Sequence, residues 1–153
     1  MEGLARDIQA EHDRLDVLVN NAGIGVGRPE GKRELSGEGH ELRFQVNYLA
    51  GFLLTKRLIP RLRSSAPARM VNVASIGQQP IDFDDVMLER GYDGWRAYRQ
   101  SKLAQILFTF ELVARLESAP ITVNALPPAT LMPTRMVREV RLRSMSTVEE
   151  GAR

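Results

Sequence analysis

Three short apolar segments punctuate the chain: Leu15 to Asn20, Met70 to Ala74 and Ile121 to Ala125. Each is rich in β-branched residues and has the length of a buried strand. Between them the apolar residues recur at helical spacing, over 2–14, 40–59 and 95–117. Strands that alternate with long helices specify βαβ units and a parallel sheet, with right-handed crossovers laying the helices on its faces. The expected fold class is therefore α/β with a doubly wound parallel sheet of about three strands.

Finer expectations follow. Ser36 is placed to cap the helix over 40–59, and Pro60 to close it. That helix carries two apolar stripes: Leu42, Val46, Leu49 and Leu53, and Phe44, Tyr48 and Phe52. Two stripes imply burial on two sides, against the sheet and against a partner. Residues 24–39 and 76–94 read as loops, the second with room for a short helical turn. Ser146 and Glu149 have capping-box spacing and should open a helix.

Composition excludes several classes. At 153 residues and 43% hydrophobic, the chain suits one ordinary domain. There is no cysteine, so no thiolate nucleophile and no disulfide. His12 and His40 stand alone, without metal-ligand spacing, and no metal site is expected. Twenty-one basic residues are interspersed with 19 acidic ones, without an aromatic-interleaved basic groove, so nucleic acid is not the expected partner. No apolar run reaches the roughly 20 residues of a membrane span. The N-terminus is charged from the start and unlike a signal peptide, and the expected compartment is the cytoplasm.

The chemistry-bearing residues fall at particular points of this scaffold. Tyr98 and Lys102 lie four apart on a helix and share one face. A phenol has a pKa of about 10, and a neighbouring ammonium favours its ionised form, so the pair suits general acid–base work. Ser75 stands just past the second strand and Asn20-Asn21-Ala22-Gly23 at the end of the first, the sheet edge where ligands bind in open α/β sheets. Asn47 is a polar amide inside an otherwise apolar helix. Each also admits a plainer use: strand cap, turn residue, satisfied core amide, surface pair.

Taken together, Asn20-Asn21-Ala22-Gly23, Asn47, Ser75, and Tyr98 with Lys102 resemble the short-chain dehydrogenase/reductase family. The wording around them, ELRFQVNYLAGFLLT and YRQSKLAQILFT, looks most like its retinol-dehydrogenase branch. The resemblance implies a Rossmann-type sheet, of which this sequence holds family strands four to six, and an NAD- or NADP-dependent oxidoreductase. Its substrate would be a small alcohol or ketone, with a preference for hydrophobic ones because Leu131 to Met145 reads as an apolar lid.

Tyr98 would be the acid/base. Lys102 would assist it and hydrogen-bond the nicotinamide ribose. Ser75 would hold the substrate oxygen, and Asn47 a water that connects Lys102 to solvent. Asn20, Ala22 and Gly23 would line the adenosine side of the cofactor site, and Pro128 its nicotinamide end. The helices at 40–59 and 95–117 would be the surfaces of a homo-oligomer.

The sequence also departs from the family pattern. Gly23, Gly25 and Gly27 do not make the glycine-rich phosphate motif, because Arg28 or Glu30 stands where its third glycine is needed. Residues 1–153 are thus expected to be a single, partial dinucleotide-binding and catalytic domain, lacking the glycine-rich N-terminal half and the last strand. The residues that would distinguish NAD from NADP lie outside it. The alternative reading is a catalytically inactive truncated chain that folds or associates only through its long helices, with weak dinucleotide binding. The family's Pro-Gly after the third strand is Pro128-Ala129 here, which would strain Ala129 if that position needs a positive φ.

Overall fold

The computed structural model describes residues 1–27 and 31–152. Arg28 and Glu30, which decide the reading of the glycine pattern, lie outside the described residues. Helix α1 (Glu2–Glu11) leads to strand β1 (Val17–Asn20). A helical stretch follows in three parts: α2 (Leu42–Phe44), a π-helical turn (Gln45–Leu49) and α3 (Ala50–Ser64). Next come β2 (Ala68–Val73), α4 (Gly94–Arg115) and β3 (Ile121–Leu126). Two short helices end the chain, α5 (Arg135–Glu139) and α6 (Val148–Gly151).

The strands form one parallel sheet in the order β1-β2-β3. Asn20 pairs with Asn72, and Asn72 with Ala125. The fold is α/β, as the alternation of elements predicts. Two right-handed crossovers in the same direction put α3 and α4 on the same face. The alternation of burial along the strands agrees. Leu18, Met70, Ile121 and Val123 are buried with Leu58 and Leu62 of α3 and Phe108 and Leu112 of α4. Val17 and Val19, on the opposite face of β1, are 52% and 53% exposed.

Helix α3 runs through Pro60 to Ser64, where a helix end was expected. Proline removes one backbone donor and crowds the carbonyl a turn earlier. Tertiary burial offsets this: Leu58 and Leu62, four apart and both fully buried, hold the helix on the sheet across the proline.

Helix α2 is capped by Glu41, whose carboxylate accepts from the Phe44 N–H at 2.7 Å. Ser36 instead closes the preceding turn, accepting from the N–H groups of Glu38 and His40. Buried Glu41 outcompetes it because Arg43 and the Tyr92 hydroxyl also bond its carboxylate. Partial burial, and then the charge of this carboxylate, push the Tyr92 phenol up to about 12. The capping box lies one residue later than the sequence pattern suggested. Thr147 and Glu150 exchange both reciprocal bonds.

The loop holds turns but no helix over 76–93, and Gly94 already belongs to α4. The stripe Phe44, Tyr48 and Phe52 packs inward: the Tyr48 and Phe52 rings lie 6.1 and 5.0 Å from Phe108 of α4. It joins the two long helices within one chain. Ala129 is free of the strain expected of it; the left-handed residue of that loop is Leu131, at φ 48°. Among the described residues, no helix is long and apolar enough to cross a membrane.

Candidate active site

Parallel strands end on one edge, and the turns that follow β1, β2 and β3 carry Gly23, Ser75 and Pro128 to it. Helix α4 starts beneath this edge because the Asp93 carboxylate caps it, accepting from the Arg96 N–H at 2.7 Å. Tyr98 and Lys102 thus fall in its second and third turns.

Lys102 is 4% exposed. Its Nζ donates to the Val73 carbonyl at 3.0 Å and to Gln105 Oε1 at 2.9 Å. It lies 5.8 Å from the centre of the Tyr98 ring. Burial disfavours the ammonium and pushes its pKa down from 10.5 to about 8. An ammonium has three donors, so among the described residues one remains for a ligand. The turn at Gly23 borders it: a β-carbon built there would lie 3.8 Å from Lys102 Nζ and 3.4 Å from Asn47 Oδ1.

Ser75 Oγ accepts from the Gly77 N–H at 3.0 Å, which leaves its own proton to donate. A β-carbon on Gly77 would sit 3.4 Å from this oxygen and 3.8 Å from Tyr98 Cε1. Ser75 and Tyr98 therefore flank the same small residue.

Asn47 is buried within the π-helical turn. Its Oδ1 accepts from the Ile24 N–H at 2.8 Å, and its Nδ2 donates to the Ile24 carbonyl and to Ser101 Oγ. Ser101 in turn donates to the Tyr98 carbonyl at 2.7 Å. Asn47 thus ties the turn after β1 to the face of α4 that carries Tyr98, with both side-chain donors engaged. Helices rarely widen to a π turn, and often do so at functional sites; nothing in the residue pattern announced it.

Asn20 is placed differently from Gly23. Its side chain is buried in the sheet–helix interface, donating to Thr55 Oγ1 at 2.9 Å and to Asn72 Oδ1 at 2.8 Å. Asn72 continues to Thr109 Oγ1, and Thr109 to the Gln105 carbonyl. A polar ladder therefore crosses beneath the site from α3 to α4. Sequence reasoning missed Ser101, Gln105, Asn72, Thr109 and Gly77. The helical signal for three of them was a polar stripe, Ser101, Gln105 and Thr109, at four-residue spacing.

Ala22 is exposed beside Gly23, and Pro128 is half-buried after β3. A cavity of about 290 Å³ beside β3 meets this cluster only at Ser75; Tyr98 and Lys102 do not line it.

A nicotinamide dinucleotide fits one end of this arrangement. The free donor of Lys102, the Tyr98 phenol and the open side of Gly23 suit the nicotinamide ribose. Gly25 and Gly27 do not form a phosphate cradle. Space for a β-carbon on Gly25 is filled by Met136, with Cγ at 2.5 Å, and on Gly27 by the Arg43 guanidinium. Met136 brings α5 from the predicted lid segment down onto the loop after β1, while Leu142 and Met145 stay exposed.

The sequence profile of the family described as short chain dehydrogenase matches residues 1–144. The chain belongs to the short-chain dehydrogenase family. It is 45% identical over 127 residues to mouse (Mus musculus) retinol dehydrogenase 13, covering 81% of this chain and 37% of that protein. To human (Homo sapiens) retinol dehydrogenase 14 it is 42% identical over 144 residues, covering 93% and 41%. The chain thus spans about two-fifths of the length of these relatives.

Solved structures of the family superpose on this fold. A short chain dehydrogenase from Salmonella enterica matches with a TM-score of 0.68 and 27% identity, over 91% of this chain and 52% of that one. The Pseudomonas aeruginosa RhlG/NADP active-site complex matches with a TM-score of 0.66 and 32% identity, over 89% and 50%. Membership puts the chain in a family of oxidoreductases, as its tyrosine, lysine, serine and asparagine implied.

Proposed function

We propose that this short-chain dehydrogenase chain supplies the acid–base half of an NAD- or NADP-dependent oxidoreductase that interconverts an alcohol and a carbonyl compound. The observation that carries this reading is the convergence of Ser75, Tyr98 and Lys102 at one sheet edge, around Gly23 and Gly77. The bound nicotinamide supplies or takes up the hydride.

The chain's own residues do the rest. The Ser75 hydroxyl donates to the substrate oxygen, where negative charge develops. The Tyr98 phenol gives that oxygen its proton in reduction and is left as phenolate, and the phenolate takes the proton back in oxidation. Lys102, through its free donor, orients the ribose and keeps positive charge beside the phenol. Asn47 holds the loop of Gly23 at the right height through Ile24.

Two observations support a hydrophobic substrate. The curated relatives are named for retinol, and Ile76, next to Ser75, is 71% exposed. The NADP in one structural relative supports a nicotinamide dinucleotide as cofactor. Self-association is supported by apolar residues on the outer side of α4: Phe110 is 67% exposed and Val113 50%.

The test is turnover of a hydrophobic aldehyde and alcohol with each nicotinamide cofactor, followed by cofactor absorbance, in the wild type and in Tyr98→Phe. Loss of the phenolic proton should lower turnover by about 10²–10⁴-fold. A Tyr98→Phe chain that turns over like the wild type would overturn the assignment.

A further inference from the structure

Lys102 is held by two uncharged acceptors, and the second was invisible as a site residue in the sequence. Gln105 is 5% exposed and lies one helical turn after Lys102. Its amide oxygen accepts from the ammonium at 2.9 Å, while the Val73 carbonyl accepts from the β2 side at 3.0 Å. The backbone around Gln105 is itself fixed. Its carbonyl accepts from Thr109, which accepts from Asn72, which accepts from Asn20, which also donates to Thr55. An α4 side chain is thus braced through the sheet to α3.

We propose that Gln105 is a positioning residue for Lys102: it fixes the direction of the ammonium without neutralising it, so that the third donor and the positive charge stay available at the site. This rests on the acid–base role of Lys102 given above and adds a second residue to it. The choice of an amide matters chemically. A carboxylate at this position would pair with the ammonium, hold its proton and draw its charge away from Tyr98. An aliphatic side chain would leave the ammonium with one fixed partner in a nearly dry site, where an unpaired charge is costly.

The groups that face Lys102 are the Val73 carbonyl of β2, Gln105 and the Tyr98 ring of α4, and the turn at Gly23 with Asn47 behind it. Tyr98 is the titratable one among them. Burial alone lowers the pKa of Lys102, with no carboxylate contributing.

The chain has three lysines, so labelled lysine gives three NMR signals, and the exposed Lys32 and Lys56 serve as internal references. The midpoint of Lys102 is titrated in the full chain for wild type, Gln105→Leu and Gln105→Glu. Leu removes an acceptor from the charged form and should lower the midpoint by about one pH unit; Glu adds a countercharge and should raise it by about one to two. Lys32 and Lys56 should not move.

Shifts of opposite sign confined to Lys102 are what a positioning contact gives and a merely structural residue does not. Equal midpoints in the three proteins, or shifts of the same sign, would overturn the proposal. Gln105→Glu is nearly isosteric, so if Gln105→Leu does not fold, an upward shift in Gln105→Glu supports the proposal and its absence overturns it. The midpoints are read without cofactor or substrate. An unaffected Tyr98→Phe enzyme would therefore remove the catalytic reading while leaving the Gln105 contact measured on its own.

Discussion

Replacing Lys102 by Met tests whether the site holds a charge at the expense of stability. The change keeps the length of the apolar stem and deletes the ammonium. It also strands the Val73 carbonyl and Gln105 Oε1, at a cost of about 1–3 kcal/mol each; that cost is independent of pH. The pH-dependent part is separable. Burial lowers the Lys102 pKa in the folded chain to about 8, from 10.5.

Between those values the unfolded chain binds a proton that the folded chain has given up, so stability rises with pH. Below about 8 both states are protonated, and the full penalty of the buried charge is present. The shift corresponds to about 3 kcal/mol in all, of which about 2 kcal/mol is recovered between about pH 7 and pH 9.5. Exposure of 4% leaves little solvent to screen it.

Urea unfolding of wild type and Lys102→Met across this range reads the effect as a difference, in which the other titrating groups cancel. Wild type should gain on the variant by about 2 kcal/mol as pH rises. A difference that stays flat, or that falls with pH, would refute a buried, proton-losing lysine.

Two further substitutions test the supports of the site. Thr109→Val keeps the shape but removes the hydroxyl that accepts from Asn72 at 2.8 Å. The stranded amide should cost about 1–3 kcal/mol in urea unfolding, and an unchanged stability would mean that the ladder is not a support. Gly94→Ala sets two effects against each other. Alanine gains up to about 1 kcal/mol as a helix former, but its β-carbon would lie 2.3 Å from the Val26 carbonyl oxygen. Displacing backbone costs about 1–3 kcal/mol, so the thermal midpoint should fall; a rise would show that the loop after β1 yields freely.

The sheet was legible because β-branched runs between amphipathic helices have few alternatives, and each strand lies within two residues of its apolar segment. The helix boundaries were less so, for local reasons. Pro60 is a stop signal that Leu58 and Leu62 override through tertiary burial. Ser36 is a better cap by residue type than Glu41. It loses because Glu41 has Arg43 and Tyr92 as further partners, from positions that a local pattern does not connect. At the C-terminal end two capping-box registers overlap, Ser146 with Glu149 and Thr147 with Glu150. Spacing alone cannot choose between them; the reciprocal bonds form in the second.

Within the site, Tyr98 and Lys102 were readable because helical spacing alone puts them together. Their supporting residues were not, and α4 shows why. Its apolar residues Leu107, Phe110 and Val113 are exposed by 46%, 67% and 50%, while Ser101, Gln105 and Thr109 are buried. Periodicity finds the two faces of such a helix but not which one points inward. A scale of hydrophobicity sends the amide-and-hydroxyl stripe to solvent. That stripe can be buried because its members are uncharged and meet partners: Ser101 meets Asn47 and the Tyr98 carbonyl, Gln105 meets Lys102, and Thr109 meets Asn72. Those partners come from β2, from the π-helical turn and from α4 itself, so the satisfaction that permits burial exists only once the sheet has formed. A polar helical stripe in register with a buried lysine is therefore a reason to look for strand amides opposite it; here Asn20 and Asn72 are those amides, paired across β1 and β2.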